Sequence, residues 1–180
     1  MAITETKIDL KSIIRNIPDF PKPGVVFRDI TTLLQDRDAL RYCVEQVAEH
    51  YRGQPIDYVA ASESRGFIFG SAIAYYLHCG FIPIRKPNKL PAATLRESYK
   101  LEYGTDALEI HRDAIKPSDK VLLVDDLLAT GGTGLASTRL IERLGGKLIG
   151  IAFIIELDFL KGRDKLKNYP IFSLVHYDQE

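Results

Sequence analysis

The sequence predicts a single α/β domain with a mostly parallel central sheet flanked by helices. Short β-prone runs alternate with stretches at helical spacing, which favours parallel strands joined by right-handed crossovers. One of these runs, Val121-Leu122-Leu123-Val124, is continuously apolar, as in a strand buried on both faces. The 180 residues suit one domain with a hydrophobic core, and we find no internal repeat or linker.

Hydrophobic periodicity, prolines and glycines place the elements along the chain. An amphipathic helix is predicted from about Thr4 to Asn16, because apolar residues recur there at helical spacing. Three prolines then exclude a helix before the extended segment Gly24 to Ile30. The remaining predictions are a helix from Asp38 to Tyr51, a strand from Tyr58 to Ala61, a helix from Phe67 to Leu77, a strand from Phe81 to Ile84, a polar, mobile loop from Lys86 to Tyr103, the apolar strand, a helix marked by Ala136 to Leu144, and a strand from Leu148 to Ile155.

The bulk composition argues against several classes of protein. The 24 Lys and Arg residues balance the 24 Asp and Glu residues, so no net charge attracts nucleic acid or an anionic membrane. Cys43 and Cys79 form no CxxC pair, which argues against a disulfide framework or a structural zinc site. No signal-peptide pattern and no bilayer-length apolar stretch is found. We therefore expect a cytoplasmic protein with no nucleic-acid and no membrane partner.

The segment after the apolar strand carries the chemistry. It reads Asp125-Asp126-Leu127-Leu128-Ala129-Thr130-Gly131-Gly132-Thr133. Ligands of open α/β sheets bind beyond the carboxyl ends of strands, where this segment lies. Its two glycines let backbone amides converge, and the next helix adds unpaired N–H groups and a positive dipole end that favour a phosphate. Ionised carboxylates only accept hydrogen bonds and suit a polyol or a metal ion. The combination predicts a site for a sugar phosphate.

Simpler interpretations fit the parts of this segment but not the whole. A lone Asp-Asp pair is usually a loop or cap feature, and a lone Gly-Gly-Thr is usually a turn. A nucleotide-binding P-loop needs a lysine that is absent after Thr133-Gly134. A dinucleotide-binding motif needs GxGxxG, which Leu135-Ala136-Ser137 break. The four histidines, His50, His78, His111 and His176, have no metal-binding spacing.

The segment resembles the ribose-phosphate-binding motif of the type I phosphoribosyltransferases. Four further segments resemble the adenine-specific branch of that family in the same order. They are Asp19 to Ile30, Ser64 to Gly70, Ile84 to Pro91 and Leu101-Glu102-Tyr103-Gly104. The likeness runs from about Ile14 to Tyr177, and small differences such as Glu63 fall at positions taken as tolerant.

The resemblance implies a fold, a reaction and partners. The fold would be that of the type I phosphoribosyltransferases, one domain over residues 1–180, with a small N-terminal hood (about 1–35) over the base site and a flexible catalytic loop (about 92–103). The reaction would transfer the 5-phosphoribosyl group of 5-phosphoribosyl 1-diphosphate (PRPP) to N9 of adenine, giving AMP and diphosphate. Mg²⁺ would be held mainly by substrate and water rather than directly by protein. The active unit would be a homodimer.

The resemblance also assigns roles to residues. The 5-phosphate would be held by Ala129, Thr130, Gly131, Gly132 and Thr133, and the ribose hydroxyls by Asp125 and Asp126. The diphosphate would be bound by Ser64, Arg65, Gly66, Arg85, Lys86 and Lys89, with Arg85 or Lys89 supplied by the neighbouring subunit and a cis peptide between Glu63 and Ser64. Adenine would stack between Phe27 and Leu128 and pair with the backbone of Val26 and Arg28. The catalytic residues would be Glu102 as the acid–base group at N7, Arg65, and Tyr103 in loop closure.

Two alternatives to adenine phosphoribosyl transfer remain open from the residues. One is transfer to another base, such as xanthine or hypoxanthine. The other is a non-catalytic regulator that keeps the sugar-phosphate loop and binds RNA or DNA. The regulator predicts an added nucleic-acid-binding segment or a strongly basic face, and this chain shows neither.

Overall fold

The computed structural model describes residues 8–100 and 105–179. Its strands are β1 Arg15–Ile17, β2 Phe27–Asp29, β3 Tyr58–Ser62, β4 Gly80–Ile84, β5 Thr94–Lys100, β6 Thr105–His111, β7 Lys120–Leu128, β8 Lys147–Leu157 and β9 Ile171–Tyr177. Its α-helices are α1 Leu10–Ile13, α2 Thr31–Gln35, α3 Arg37–His50, α4 Arg65–Tyr76 and α5 Gly132–Arg143. Two 3-10 turns, Asp158–Leu160 and Gly162–Leu166, follow β8.

A five-stranded parallel sheet in the order β4-β3-β7-β8-β9 forms the centre of the fold. The central strand β7 is buried on both faces. Leu122 and Val124 pack in an apolar cluster with α3 and α4, whereas Val121 and Leu123 pack in a second cluster with α5 and β6. The predicted fold class, a mostly parallel sheet flanked by helices, is confirmed. All five strands present their carboxyl ends at one edge of the sheet, where ligands bind in such folds.

The predictions for the elements around the sheet agree with the structure to within a few residues. The Asp36 side chain caps α3 by accepting from the amides of Asp38 and Ala39, each at 2.9 Å. This cap explains why the helix begins at Arg37, one residue before the predicted start. The predicted strand from Tyr58 is one residue longer than expected. None of the helices that the structure describes combines the length and the apolarity needed to cross a bilayer.

The predicted N-terminal helix is wrong beyond Ile13. The prediction for residues 4–7 lies outside the described residues, and α1 covers only Leu10–Ile13. Residues 15–17 instead form β1, which pairs antiparallel with β2. The cross-strand contact of Arg15 with Asp29, Nε to Oδ2 at 3.0 Å, stabilises this pairing. A strand partner distant in sequence therefore outweighs the helical spacing of the isoleucines.

The predicted loop from Lys86 to Tyr103 is also wrong in part. Residues 94–100 form β5, which pairs with β6 over its full length, and neither strand was expected. Leu95 and Tyr99 of β5 pack against the second apolar cluster. Glu97, between them on the same face, accepts from Nη1 of Arg139 at 3.2 Å and from Nη1 of Arg143 at 2.8 Å. The hairpin is therefore docked on α5 by apolar packing and by ion pairs.

Candidate active site

The two acidic residues lie within strand β7 itself, whereas the sequence predicted them just after the strand. Strand β3 pairs with β7 only as far as Val124, whereas β8 continues to pair with Asp125, Leu127 and Leu128. The longer neighbour β8 extends β7 by four residues, because its backbone supplies hydrogen-bond partners there. Both carboxylates consequently project from a fixed backbone at the edge of the sheet.

The predicted sugar-phosphate residues line one pocket of about 200 Å³. Its lining residues are Glu63, Arg65, Asp125, Asp126, Leu127, Leu128, Ala129, Thr130, Gly131, Gly132, Thr133, Gly134 and Phe153. The acidic side and the amide side of the predicted site thus face the same space. This convergence is the geometric condition that a sugar-phosphate site requires.

The turn at the start of α5 is built by backbone contact. Gly131 caps the helix in the left-handed region with φ of 77°, and no side chain caps the first amides of the helix. A Cβ on Gly131 would lie 2.4 Å from the carbonyl oxygen of Gly162, and a Cβ on Gly162 would lie 2.1 Å from that of Ala129. Glycine is therefore required on both sides of this contact. The uncapped amides at the start of a 12-residue helix suit a phosphate.

The two carboxylates differ in their surroundings. Asp125 and Asp126 are 8% and 7% exposed, and Gly66 packs so closely that a Cβ there would lie 2.7 Å from Oδ1 of Asp125. Burial and then the charge of Asp126 raise the pKa of Asp125 well above its ordinary value, although the Asp126 amide donates to Oδ1 of Asp125 at 3.0 Å. Asp126 instead accepts from Nε of Arg65 at 2.5 Å. The Arg65 guanidinium therefore compensates the charge of Asp126.

The segment after β3 brings Arg65 to the pocket. The peptide between Glu63 and Ser64 is cis, which confirms the prediction made from resemblance. Helix α4 begins at Arg65, so Ser64 and Gly66 lie at its start, at the same sheet edge as Asp125. The Arg65 guanidinium lies 5.7 Å from the ring centre of Phe27. It thereby connects the acidic wall of the pocket with the aromatic residue predicted to bind the base.

The basic residues after β4 are not brought to the pocket within this chain. Among the described residues, neither Arg85 nor Lys86 nor Lys89 lines it. Nζ of Lys86 contacts Oδ2 of Asp106 and donates to the Tyr99 hydroxyl at 3.1 Å, so Lys86 anchors the β5–β6 hairpin. Burial acts to lower the pKa of Lys86, but these bonds outweigh it and raise the pKa.

Arg85 has fixed partners of its own. Its Nε donates to Oε2 of Glu63 at 2.7 Å and its Nη1 to the carbonyl of Lys89 at 3.3 Å. Lys89 itself is exposed. The carboxylate of Glu63 also accepts from the Lys86 amide at 3.0 Å. The Glu63 side chain, at a position that the sequence analysis took as tolerant, therefore joins the segments that follow β3 and β4.

The residues predicted for the base differ in how accessible they are. Val26, Phe27 and Arg28 are partly buried, and Phe27 packs edge-on against Phe20 with ring centres 5.2 Å apart. The Leu128 side chain is 1% exposed and belongs to the apolar cluster of Leu123 and Ala136, so it has no free face for a base. The neighbouring Leu127 is partly exposed and lines the same pocket.

Two predicted catalytic residues, Glu102 and Tyr103, lie outside the described residues. The strands on either side of them, β5 and β6, are docked on α5, the helix that starts at the phosphate turn. The same helix therefore forms part of the phosphate turn and contacts the two strands that precede and follow these residues in the sequence.

One cluster among the described residues has the geometry of a metal site, although none of its residues lines this pocket. Ligand atoms of Glu156, Asp158 and His176 lie within 4.8 Å of one another. The Glu156 carboxylate is already bonded by Nε and Nη2 of Arg163 at 2.9 and 2.5 Å and by the Ser173 hydroxyl at 2.6 Å. A guanidinium in that position opposes a cation, so we interpret the cluster as structural.

The fold and this pocket define a phosphoribosyltransferase, and comparison with known proteins agrees. The family model of the phosphoribosyl transferase domain matches residues 30–176. This match spans most of the chain, and the chain belongs to that family.

Within the family, the chain is similar over nearly its whole length to adenine phosphoribosyltransferases. The enzyme of that name from Acaryochloris marina is 60% identical over 170 residues, covering 94% of this chain and 100% of the relative. A crystal structure from Thermoanaerobacter pseudethanolicus has a TM-score of 0.90 at 54% identity and covers 93% of this chain and 97% of that one. A structure of the enzyme from Saccharomyces cerevisiae, complexed with an imino-altritol bisphosphate and adenine, has a TM-score of 0.87 at 39% identity. It covers 92% of this chain and 96% of that one.

Proposed function

We propose that this protein is a purine salvage enzyme that transfers the 5-phosphoribosyl group of PRPP to N9 of adenine, releasing AMP and diphosphate. One observation carries the proposal. The uncapped amides of α5 and the carboxylates of Asp125 and Asp126 line one pocket, and Arg65 connects that pocket with Phe27. A base, a ribose and a phosphate can thus lie in sequence along one wall. The similarity to adenine phosphoribosyltransferases supports the choice of base.

The sugar phosphate is proposed to bind at the junction of β7 and α5. The amides of Gly132 and Thr133 and the hydroxyl of Thr130 donate to the 5-phosphate at the positive end of the helix. The carboxylates of Asp125 and Asp126 accept from the two ribose hydroxyls. As the bond to diphosphate breaks, positive charge develops on the ribose ring, and the adjacent carboxylates stabilise it.

The diphosphate is proposed to lie beside the start of α4. Ser64 and Gly66 supply donors, and Arg65 exchanges its bond with Asp126 for bidentate bonds to diphosphate oxygens. Arg85 and Lys89 approach from the partner subunit, which accords with their absence from the pocket lining within one described chain. Lys86 is bonded to Asp106, which favours a supporting role for it over direct contact with the diphosphate.

Magnesium is proposed to accompany PRPP. The pocket offers carboxylate oxygens, hard ligands that suit Mg²⁺, but Asp126 is bonded to Arg65, and burial raises the pKa of Asp125. The residues therefore fit an ion held mainly by diphosphate and water, and Asp125 and Asp126 are the carboxylates of the pocket that could contact it. When bound, the ion neutralises charge on the leaving diphosphate.

Adenine is proposed to stack on Phe27, with its other face covered by Leu127 in place of the predicted Leu128. Strand β2 pairs with β1 along one edge, and the backbone of Arg28 in β2 and of Val26 just before it is proposed to contact the purine edge. An N–H donated to N1 and a carbonyl accepting from the 6-amino group select adenine, because a 6-oxo purine reverses this pattern.

Proton transfer at N7 is proposed for Glu102, with Tyr103 helping the catalytic loop to close. Both roles are carried over from the resemblance of Leu101-Glu102-Tyr103-Gly104 to the family. A carboxyl group near N7 can exchange a proton as the bond to N9 forms. Closure of the loop excludes water and so limits hydrolysis of the activated sugar.

The active unit is proposed to be a homodimer formed through α4. Ile68 and Tyr75, one above the other at a spacing of seven residues, are 41% and 83% exposed, and Tyr76 is 38% exposed. Clustered exposed apolar side chains mark interaction surfaces. Helix α4 begins at Arg65, so this surface continues directly from the active site to the partner.

Substitution of Ile68 and Tyr75 by Glu tests the dimer. The double variant is expected to elute as a monomer in size-exclusion chromatography and to lose activity, because Arg85 then no longer reaches a partner site. Arg37→Glu, a charge change at a 93% exposed side chain on α3, is the matched control. A monomeric variant with full activity would contradict the proposal.

The reaction itself is tested by measuring diphosphate release with PRPP, Mg²⁺ and one base at a time. Adenine-dependent release with stoichiometric AMP supports the proposed function. Release with hypoxanthine, guanine or xanthine alone selects a different base, and PRPP binding without turnover selects the regulator. Asp126→Asn, which keeps the side-chain volume, is expected to weaken productive PRPP binding in the same assay.

A further inference from the structure

We propose that Glu63 is a positioning residue that sets the diphosphate-binding geometry by orienting Arg85. This inference rests on the proposed function, since it gives Arg85 a role at the diphosphate. It concerns a residue whose carboxylate no proposed step of the reaction uses and that the family resemblance placed at a tolerant position. The Glu63 side chain is 13% exposed and both of its oxygens are occupied.

The two oxygens of Glu63 bind two consecutive residues. Oε2 accepts from Nε of Arg85 at 2.7 Å, and Oε1 accepts from the backbone amide of Lys86 at 3.0 Å. The Glu63 amide itself donates to the carbonyl of Ile84 at 2.9 Å. Three hydrogen bonds therefore fix the segment after β3 against the segment after β4. Both segments hold residues proposed to bind diphosphate: Ser64 to Gly66 in the site of their own subunit, and Arg85 in the site of the partner.

The backbone of Arg85 is fixed independently of Glu63. The Arg85 amide donates to the Glu109 carbonyl at 2.9 Å, and the Glu109 amide donates to the Arg85 carbonyl at 2.7 Å. With its backbone fixed, Arg85 can still change the direction of its side chain. The bond to Glu63 restricts that movement. The Nη1 bond to the carbonyl of Lys89 then fixes the plane of the guanidinium, leaving Nη2 outside both bonds. An arginine held in this way loses little entropy when an anion binds.

A carboxylate near a diphosphate site has two opposing effects on the affinity for diphosphate. Its negative charge repels the anion, which predicts tighter binding once Glu63 is neutralised. Its bond to Arg85 preorganises a donor, which predicts weaker binding once the bond is lost. The Glu63 carboxylate already accepts hydrogen bonds from the Arg85 guanidinium and from the Lys86 amide. These donors largely compensate its negative charge, so its repulsion of the diphosphate is small. Orientation of Arg85 is therefore the larger effect, and loss of the Glu63 carboxylate should weaken diphosphate binding.

The test compares Glu63→Ala, Glu63→Gln, Arg85→Ala and the double variant Glu63→Ala with Arg85→Ala. Calorimetry measures the Kd of magnesium diphosphate and of AMP, which has no diphosphate and therefore controls for the rest of the site. Kinetics measure kcat and the KM for PRPP. Glu63→Ala is expected to weaken diphosphate binding about tenfold, the scale of one charge-assisted hydrogen bond, and to raise the KM for PRPP similarly. The Kd of AMP should stay within about twofold, below the scale of any single lost hydrogen bond.

The double variant isolates the pathway through Arg85. It should bind diphosphate no more weakly than Arg85→Ala alone, because Glu63 has nothing left to orient. Glu63→Gln keeps the shape and one acceptor, so it should fall between Glu63→Ala and the wild type, and it carries the test where Glu63→Ala fails to fold.

Four outcomes overturn the inference. Tighter diphosphate binding by Glu63→Ala would show that charge repulsion by Glu63 dominates. Unchanged diphosphate binding would show that Glu63 does not orient Arg85 for the diphosphate. Equal loss of AMP and diphosphate binding would show a general structural role. Unchanged diphosphate binding by Arg85→Ala would remove the role of Arg85 and that of Glu63 with it. Absence of AMP formation by the wild type contradicts the proposed function instead, and the diphosphate titrations then still decide whether Glu63 acts through Arg85.

Discussion

Gly162→Ala is expected to disable the phosphate turn, although Gly162 is not among the described residues that line the pocket. Gly162 has no positive φ, so alanine is compatible with its backbone conformation and the effect arises from contact alone. The added Cβ would lie 2.1 Å from the carbonyl oxygen of Ala129 and 3.0 Å from the amide nitrogen of Gly131. Both atoms belong to the backbone, and neither can rotate away as a side chain would.

The size of the effect follows from how far the phosphate turn must move away from Gly162 to accommodate the added Cβ. Real Cβ atoms essentially never approach another heavy atom within 3.0 Å, so the turn and Gly162 must separate by about 1 Å. Misplacing a binding group by that distance costs about 100-fold in reactivity. We therefore expect kcat/KM for PRPP to fall about 100-fold, on the same principle, while adenine binding changes little.

Steady-state kinetics with varied PRPP, together with calorimetric titration of AMP and of adenine, measure this effect. Gly150→Ala is the matched control, because its Cβ would lie 2.6 Å from the Tyr51 hydroxyl, in the core and away from the pocket. That control should lower the thermal midpoint without raising the KM for PRPP. Wild-type affinity of Gly162→Ala for AMP and PRPP would refute the argument that backbone contact sets the phosphate turn.

Three other substitutions test the charged groups around the pocket. The pKa of Asp125 is raised in the folded state, so the folded protein binds the Asp125 proton more tightly than the unfolded chain does. Ionisation of Asp125 therefore destabilises the fold as pH rises through the folded pKa. Asp125→Asn should therefore raise the thermal midpoint by about 2–4 °C for each ~1 kcal/mol gained near neutral pH. That gain should shrink on acidification, and a gain independent of pH would contradict the assignment. Arg65→Ala should weaken diphosphate binding but leave AMP bound at least as tightly, since Asp126 is released for the ribose; equal losses for both ligands would argue against the exchange of partners. Glu97→Gln should cost only about 0.5 kcal/mol of unfolding free energy, because its arginine partners are half exposed, and should speed proteolysis of the β5–β6 hairpin; an unchanged cleavage rate would show that these ion pairs do not hold the hairpin.

The sequence predicted the segment from β7 to α5 well because its determinants are local. A continuous apolar run, two acids, two glycines and a helical pattern are consecutive, so the strand, the turn and the helix follow from neighbouring residues. The extent of β7 was misjudged because it depends on the length of β8, which is set elsewhere. The cis peptide before Ser64 came from the family resemblance and not from local propensity.

The missed features depend on contacts between residues distant in sequence. Strand β5 has an inward-facing charge, Glu97, where a half-buried strand normally has an apolar residue, so the alternation of Leu95 and Tyr99 is interrupted. Its partners on α5 lie more than 40 residues away. The contact of Gly162 with the phosphate turn, and that of Glu63 with Arg85, are likewise absent from any local pattern. Only folded coordinates or covarying positions would have indicated them.

The length of α5 is constrained by the groups at its two ends. Its first residues form the phosphate turn, and Arg139 and Arg143, one helical turn apart, hold Glu97 of the hairpin. Each inserted residue rotates the later part of a helix by about 100° around the helix axis. A single insertion between Thr133 and Arg139 would thus turn both arginines away from the hairpin while the phosphate turn stayed intact. An insertion or deletion between Thr133 and Arg139 should therefore release the hairpin from α5.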